Sequence, residues 1–207
     1  MTRKKSLSLR QALIAPLLAA TLAVTGCNSA PSAPSEADWP LAGATIGGDF
    51  TLVDKDGKTV IWQDFAGQWR IVYFGFTFCP DVCPVDAAAI GGGLNRFEEM
   101  DAARAAKVTP IFISVDPKRD TPEVVGEFAA AFHPRMVGLT GTPEQVAAAA
   151  KAFVATYSYG EPDETGYYRV DHTAMTLLFD PDGKPVAILE THQGPQELAD
   201  ELAKWVQ

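Results

Sequence analysis

The chain has 207 residues, of which 47% are hydrophobic, 10% aromatic and 21% charged. That composition excludes a mainly disordered or collagen-like protein, and the length suits one domain better than two complete ones. Its formal charge is −9, from 17 Lys and Arg against 26 Asp and Glu, which disfavours binding to nucleic acid or to an anionic lipid surface through a basic patch. Three cysteines cannot build a dense disulfide scaffold, although one bridge is available outside the cytosol.

Residues 1–26 carry Arg3, Lys4, Lys5 and Arg10 ahead of an apolar run that starts at Ala12 and ends at Val24 or Thr25, with no carboxylate before Glu36. This is the pattern of an export signal. The run, about 14 residues, is shorter than the roughly 20 a helix needs to span a bilayer, which disfavours a permanent transmembrane anchor. The stretch Leu22-Ala23-Val24-Thr25-Gly26-Cys27 resembles the cleavage and acylation box of bacterial lipoproteins. That resemblance implies that Cys27 becomes residue one and carries diacylglycerol; an ordinary secretory cleavage would leave it a free thiol. Loss of the four basic residues of the signal takes the formal charge from −9 to −13, so membrane attachment would rest on the acyl chains. Residues 28–38, rich in Ser, Ala and Pro, have the composition of a flexible tether. The expected organisation is a signal peptide over 1–26, an acylated N-terminus and tether over 27–40, and one folded domain over 41–207. The protein is then lipid-anchored in a bacterial cell envelope, facing the periplasm or extracytoplasmic side.

From Trp39 onward the pattern predicts a continuous α/β domain. Two short apolar segments, 50–53 and 59–62, flank Asp56-Gly57 and read as a β-hairpin. Residues 71–76 are apolar on both faces, as in a central strand covered by helices. A helix is expected from about Pro84, interrupted or held only by packing at Gly91-Gly92-Gly93 and resuming over 94–106. Residues 111–115 read as a second buried strand ending at Asp116-Pro117. Thr121-Pro122 and Thr142-Pro143, the latter with Gln145 completing a capping box, start helices that run to about Phe132 and Ala155. Strands over 167–170 and 173–179 are expected around Asp171-His172, a turn at Asp180-Pro181-Asp182-Gly183, a strand over 185–189 and a final helix over 195–205.

The chemistry concentrates in Gly75-Phe76-Thr77-Phe78-Cys79-Pro80-Asp81-Val82-Cys83-Pro84, where two thiols four residues apart sit at a strand-to-helix junction. Spacing i,i+4 on a first helical turn can bring both sulfurs to one side, close enough to share a metal or to approach disulfide geometry. A helix N-terminus there would lower their pKa values and favour thiolates. Two thiolates are incomplete for structural zinc, which takes four ligands, whereas copper(I) accepts two or three and an imidazole helps the same site hold copper(II). His172, expected at a strand interruption facing the cysteine loop, is the preferred third ligand. On spacing alone a metal site, a redox dithiol or disulfide, and buried structural thiols all remain open.

The stretch 72–84, the run Ile113-Ser114-Val115-Asp116-Pro117-Lys118-Arg119-Asp120-Thr121-Pro122, and Val170-Asp171-His172-Thr173 followed by Asp180-Pro181-Asp182-Gly183 together resemble the Sco/SenC family of copper-binding proteins, over roughly residues 43–206. The resemblance implies a thioredoxin-like fold with an N-terminal β-hairpin and copper, as Cu(I) or Cu(II), held by Cys79, Cys83 and His172. It also implies a role in assembling the dinuclear copper centre of respiratory cytochrome oxidase. The implied partners are the copper-accepting oxidase subunit, another copper chaperone and a thiol-disulfide reductant. Thr173 stands where members often carry serine, which preserves the hydroxyl, and Gly91-Gly92-Gly93 is less typical.

Two function classes use the same cysteines. A non-enzymatic copper chaperone needs His172, whereas a thiol-disulfide oxidoreductase that reduces the acceptor's cysteines does not. A peroxidase lacks a recognisable peroxide-positioning arginine. Among other candidates, His133 and His192 are expected to be exposed, and Asp81 either tunes the thiols as a neighbour of the site or is a solvated turn residue. Asp116 and Asp120 are expected to organise their loop, Met175 to pack in the core, and Phe76 and Phe78 to wall the site. Tyr157, Tyr159, Tyr167 and Tyr168 form either a partner surface or a cover for the sheet.

Overall fold

The computed structural model describes residues 34–207. The expected signal peptide over 1–26, Cys27 and residues 28–33 of the expected tether lie outside the described residues. A hairpin of β1 (Thr51–Val53) and β2 (Thr59–Ile61) turns at Asp54 to Lys58, as its Asp-Gly sequence requires. Asp54 takes the backbone N–H groups of Asp56 and Lys58 onto one carboxylate oxygen, each at 3.0 Å.

The core is a five-stranded mixed sheet. Its strands are β3 (Trp69–Gly75), β4 (Val108–Ser114), β5 (Val137–Leu139), β8 (Thr176–Phe179) and β9 (Pro185–Leu189), in the order β5-β4-β3-β8-β9. β3, β4 and β5 run parallel, while β8 and β9 are antiparallel to their neighbours. Every residue of β3 is buried, including Arg70, whose guanidinium donates to the Phe65 carbonyl, and residues 71–74 accordingly read as an apolar run without alternation. The flanking helices are α1 (Val82–Met100), the single-turn α2 (Ala102–Ala105), α3 (Pro122–Phe132), α4 (Pro143–Ala152) and α5 (Pro195–Trp205). Thr121 and Thr142 cap α3 and α4 through their hydroxyls, and Gln145 closes the box on α4. This is a thioredoxin-like arrangement carrying an N-terminal hairpin.

Two further strands, β6 (Tyr157–Tyr159) and β7 (Val170–His172), form a separate antiparallel ribbon that pairs Tyr157 with His172. Here the structure departs from the sequence reading. His172 lies inside a strand, the interruption falls at residues 173–175, and residues 167–169 are not strand. The partner strand β6 holds Asp171 and His172 extended, while Asp163 ties the backbone N–H of Tyr167 into a loop at 3.1 Å.

α1 also starts earlier than expected, at Val82, and runs unbroken through the three glycines to Met100. A Cβ on Gly91 would collide with the Phe132 carbonyl oxygen, and one on Gly93 with Leu198. The glycines are thus where α3 and α5 approach α1 most closely, and packing offsets their poor helix propensity. The helix stops at Asp101 rather than continuing to Ala106. Asp101 instead caps α2, accepting from the Arg104 backbone at 3.0 Å and from its guanidinium at 2.8 Å.

Candidate metal centre

Phe76 and then Cys79 follow the C-terminal end of the central strand β3, and Cys83 lies in the first turn of α1. The backbone N–H of Cys83 points at the Cys79 sulfur at 3.5 Å. Cys83 is fully buried and Cys79 half-buried, and both are free thiols. From the opposite side β7 brings His172, whose Nε2 stands 3.1 Å from the Cys83 sulfur. One ligand atom from each of Cys79, Cys83 and His172 lies within 4.8 Å of the others. A cleft of about 360 Å3 opens beside them, lined among others by Phe76, Asp81, Tyr167 and Asp171.

The imidazole is oriented by its surroundings. Nδ1 lies 3.2 Å from the Thr173 carbonyl oxygen; a carbonyl only accepts, so Nδ1 carries the proton and Nε2 turns its lone pair toward the sulfurs. Burial lowers the His172 pKa, partly offset by the Thr173 carbonyl, which keeps the ring neutral and able to ligate. Phe76 and Tyr73 each stand edge-on to it, with ring centroids at 5.7 and 6.2 Å. Burial pushes the Cys83 thiol up, against a smaller lowering by the Phe76 backbone. The direction is opposite to the lowering expected at a helix N-terminus, with burial its largest cause. A thiophilic cation must therefore displace the proton of Cys83 on binding. Two sulfurs and one neutral imidazole, with no further Cys, His, Asp or Glu in the cluster among the described residues, are a soft three-coordinate set.

Behind the site, residues that the sequence reading did not single out complete a buried polar network. Tyr73 donates to Asp86 at 2.8 Å, and Thr191 donates to the other oxygen of Asp86 at 2.6 Å. Asp86 follows Cys83 by three residues on the same helix face, a signal available in the sequence. Asp120, expected to organise its loop, does so: it accepts from the Thr77 backbone, the Thr77 hydroxyl and Ser114 at 2.9, 2.6 and 2.5 Å. Asp116 is likewise buried, beneath Tyr168. Asp81 is exposed at the mouth of the cleft.

Other expectations need correction. His133 is buried, at 2% exposure, because its Nδ1 accepts from the Arg135 backbone at 3.1 Å and its Nε2 faces Glu98 at 3.5 Å. His192 is exposed as expected. Phe76 walls the site, but Phe78 is 52% exposed and instead lies against the Arg119 guanidinium. Met175 packs against the core from the break before β8 rather than from within a strand. Tyr157 and Tyr168 pack inward, whereas Tyr159 and Tyr167 are exposed.

The sequence profile of the family described as SCO1/SenC matches residues 40–207. Protein SenC of Rhodobacter capsulatus is 42% identical over 161 residues, covering 78% of this chain and 71% of SenC. The mitochondrial SCO1 homolog 1 of Arabidopsis thaliana is 37% identical over 168 residues, covering 81% of this chain and 49% of that protein. The chain thus spans about half the length of this and the human SCO1 relative it matches. Among solved structures, Arabidopsis thaliana ScoI with copper bound superposes with a TM-score of 0.71 at 36% identity, over 77% of this chain and 96% of that one. Bradyrhizobium japonicum ScoI with copper bound gives 0.70 at 36%, over 78% and 99%. A SCO1/SenC family lipoprotein from Bacillus anthracis gives 0.62 at 25%, over 76% and 93%. With its family profile matched across the whole folded domain, the chain belongs to the SCO1/SenC family.

Proposed function

We propose that this protein is a copper chaperone that holds copper through Cys79, Cys83 and His172 and passes it by ligand exchange to a subunit of respiratory cytochrome oxidase. The observation that carries this reading is the convergence of two sulfurs and one oriented imidazole nitrogen within 4.8 Å, in a family whose Arabidopsis and Bradyrhizobium members have copper-bound structures. The neutral imidazole adds the nitrogen that copper(II) favours, and the paired sulfurs alone suffice for copper(I). Three ligands, of which Cys79 and His172 line an open cleft, leave room for an acceptor's donor atom to enter before a protein ligand leaves.

The same proposal places the domain, residues 41–207, outside the cytoplasm on a tether over 27–40, with residues 1–26 removed and Cys27 acylated. The lipobox-like sequence and the Bacillus anthracis family lipoprotein support it. No helix among the described residues is long and apolar enough to cross a membrane; in this reading the acyl chains on Cys27 supply the attachment. Further partners are a second copper chaperone and a thiol-disulfide reductant.

Copper titration of the reduced protein, read by X-ray absorption and optical spectra, tests the reading. His172→Ala should lose copper(II) affinity and change the spectrum while still forming the Cys79–Cys83 disulfide, and Cys79→Ala or Cys83→Ala should lose both properties. Unchanged copper binding in His172→Ala would favour the thiol-disulfide oxidoreductase instead.

A further inference from the structure

The three ligands come from two different sheets of the folded domain. Cys79 and Cys83 lie between β3 and α1 of the central domain, whereas His172 sits on the β6–β7 ribbon, whose strands pair only with each other. The position of the imidazole relative to the sulfurs therefore depends on what joins the ribbon to the domain.

Val170 and Tyr157 pack the ribbon against the core, and its polar joint is the loop after β4. Tyr168, two residues before β7, is buried and its phenol donates to Asp116 at 2.7 Å. Arg119 forms an ion pair with the other Asp116 oxygen and donates to the Tyr168 carbonyl at 3.1 Å. Its guanidinium lies 3.9 Å from the Tyr168 ring centroid and 5.6 and 5.3 Å from those of Phe76 and Phe78 on the cysteine side. Phe76 is the ring that stands edge-on to His172. Tyr159 of β6 adds a bond from its hydroxyl to the Val115 carbonyl at 2.6 Å. One planar guanidinium thus contacts both ligand-bearing segments, by hydrogen bonds on one side and by aromatic faces on the other, a combination lysine cannot reproduce.

We propose that Asp116, Arg119 and Tyr168 form a clamp that seats the His172 ribbon against the cysteine loop, and so set how well the imidazole, as distinct from the two sulfurs, reaches bound copper. All three are positioning residues. The inference rests on the copper reading of the site and adds to it a division of labour: loosening the clamp releases the nitrogen ligand and leaves the sulfur pair in place. Copper(II) binding then weakens while copper(I) binding persists.

The test uses the full chain with Tyr168→Phe and Arg119→Lys. In the metal-free protein, amide hydrogen exchange over Val170–His172 should accelerate by about tenfold or more while exchange in β3 stays unchanged. Copper(II) affinity should fall by about tenfold or more, with an altered electron paramagnetic resonance spectrum, and copper(I) affinity should stay within about twofold. Wild-type exchange in β7 together with a wild-type copper(II) spectrum would overturn the clamp. So would equal losses for the two copper states. If Tyr168→Phe also exposes β3, Arg119→Lys decides by the same readouts. A wild-type chain that holds copper without nitrogen would defeat the copper reading, and the exchange rates of the metal-free chain would still judge the clamp.

Discussion

The sulfur of Cys83 and Nε2 of His172 stand 3.1 Å apart although 89 residues separate them in sequence. Tyr73 reaches both sides of this pair, its ring edge-on to the imidazole and its hydroxyl bound to Asp86 one helical turn beyond Cys83. A buried carboxylate that accepts from two hydroxyls is satisfied only while both donors remain. The residues behind the ligands consequently govern stability and geometry together.

Asp86→Ala should destabilise the domain by about 2–4 kcal/mol, because it strands the Tyr73 and Thr191 hydroxyls and opens a void beside Cys83. Asp86→Asn, which keeps the volume and an acceptor oxygen, should cost less. Urea unfolding of the metal-free protein compares them, and equal stabilities for wild type and Asp86→Ala would contradict the role given to the network.

The glycines of α1 invert the usual helix rule. Alanine normally favours a helix interior by about 1 kcal/mol over glycine, yet Gly91→Ala drives a methyl group into the Phe132 carbonyl and Gly93→Ala drives one into Leu198. Gly91→Ala should destabilise by roughly 2 kcal/mol or more, since the Phe132 backbone yields less readily than the Leu198 side chain. At Gly92 the nearest atoms are those of Pro195, at 3.1 and 3.2 Å, so Gly92→Ala should be the mildest of the three. Thermal unfolding of the set ranks them, and a stabilised Gly91→Ala would refute the close approach.

Much of this architecture was legible in the sequence where the signal was local. The unbroken apolar run of β3, the capping threonines at 121 and 142, and the Asp-Gly turn each follow from propensity or turn chemistry within a few residues. The Cys79 and Cys83 spacing was equally visible. What escaped depends on partners distant in the chain. β6 has no strong strand pattern and exists because it pairs with β7, so His172 was expected in a break rather than in a strand. His133 was expected in solvent because nothing near it in sequence announces Glu98, 35 positions earlier on another helix. Tyr73 read simply as part of an apolar strand until the fold set Asp86 against its hydroxyl.

Val154 records strain at the C-terminus of α4. Its φ of 56° makes it the sole non-glycine residue at positive φ among the described residues. The bonds from Val154 to the Lys151 carbonyl at 3.3 Å and from Ala155 to the Ala150 carbonyl at 2.9 Å form a Schellman cap, in which the left-handed position is normally glycine. A β-branched side chain there costs about 1–3 kcal/mol, of which the extra unfolded-state freedom of glycine would offset part. Val154→Gly should therefore stabilise the domain by about 1 kcal/mol. A lower urea midpoint for the variant would contradict that reading of the cap.

The buried His133 makes stability depend on pH in a direction its surroundings determine. Burial lowers its pKa below the ordinary 6.5, Glu98 opposes that shift and Arg135 reinforces it, with burial the largest cause. The folded state thus prefers the neutral ring, whose Nδ1 accepts from the Arg135 backbone. As pH falls below 6.5 the unfolded chain binds the proton first, so the stability supplied by the neutral ring is full above 6.5 and is lost as pH falls toward and through the lower folded value. His133→Asn keeps a short acceptor and removes the titration. The stability difference between wild type and His133→Asn should be constant above about pH 7 and should shift against the wild type as pH is lowered toward 5. Urea unfolding at matched ionic strength measures it, and a difference that instead grew in favour of the wild type on acidification would show that the Glu98 ion pair outweighs burial.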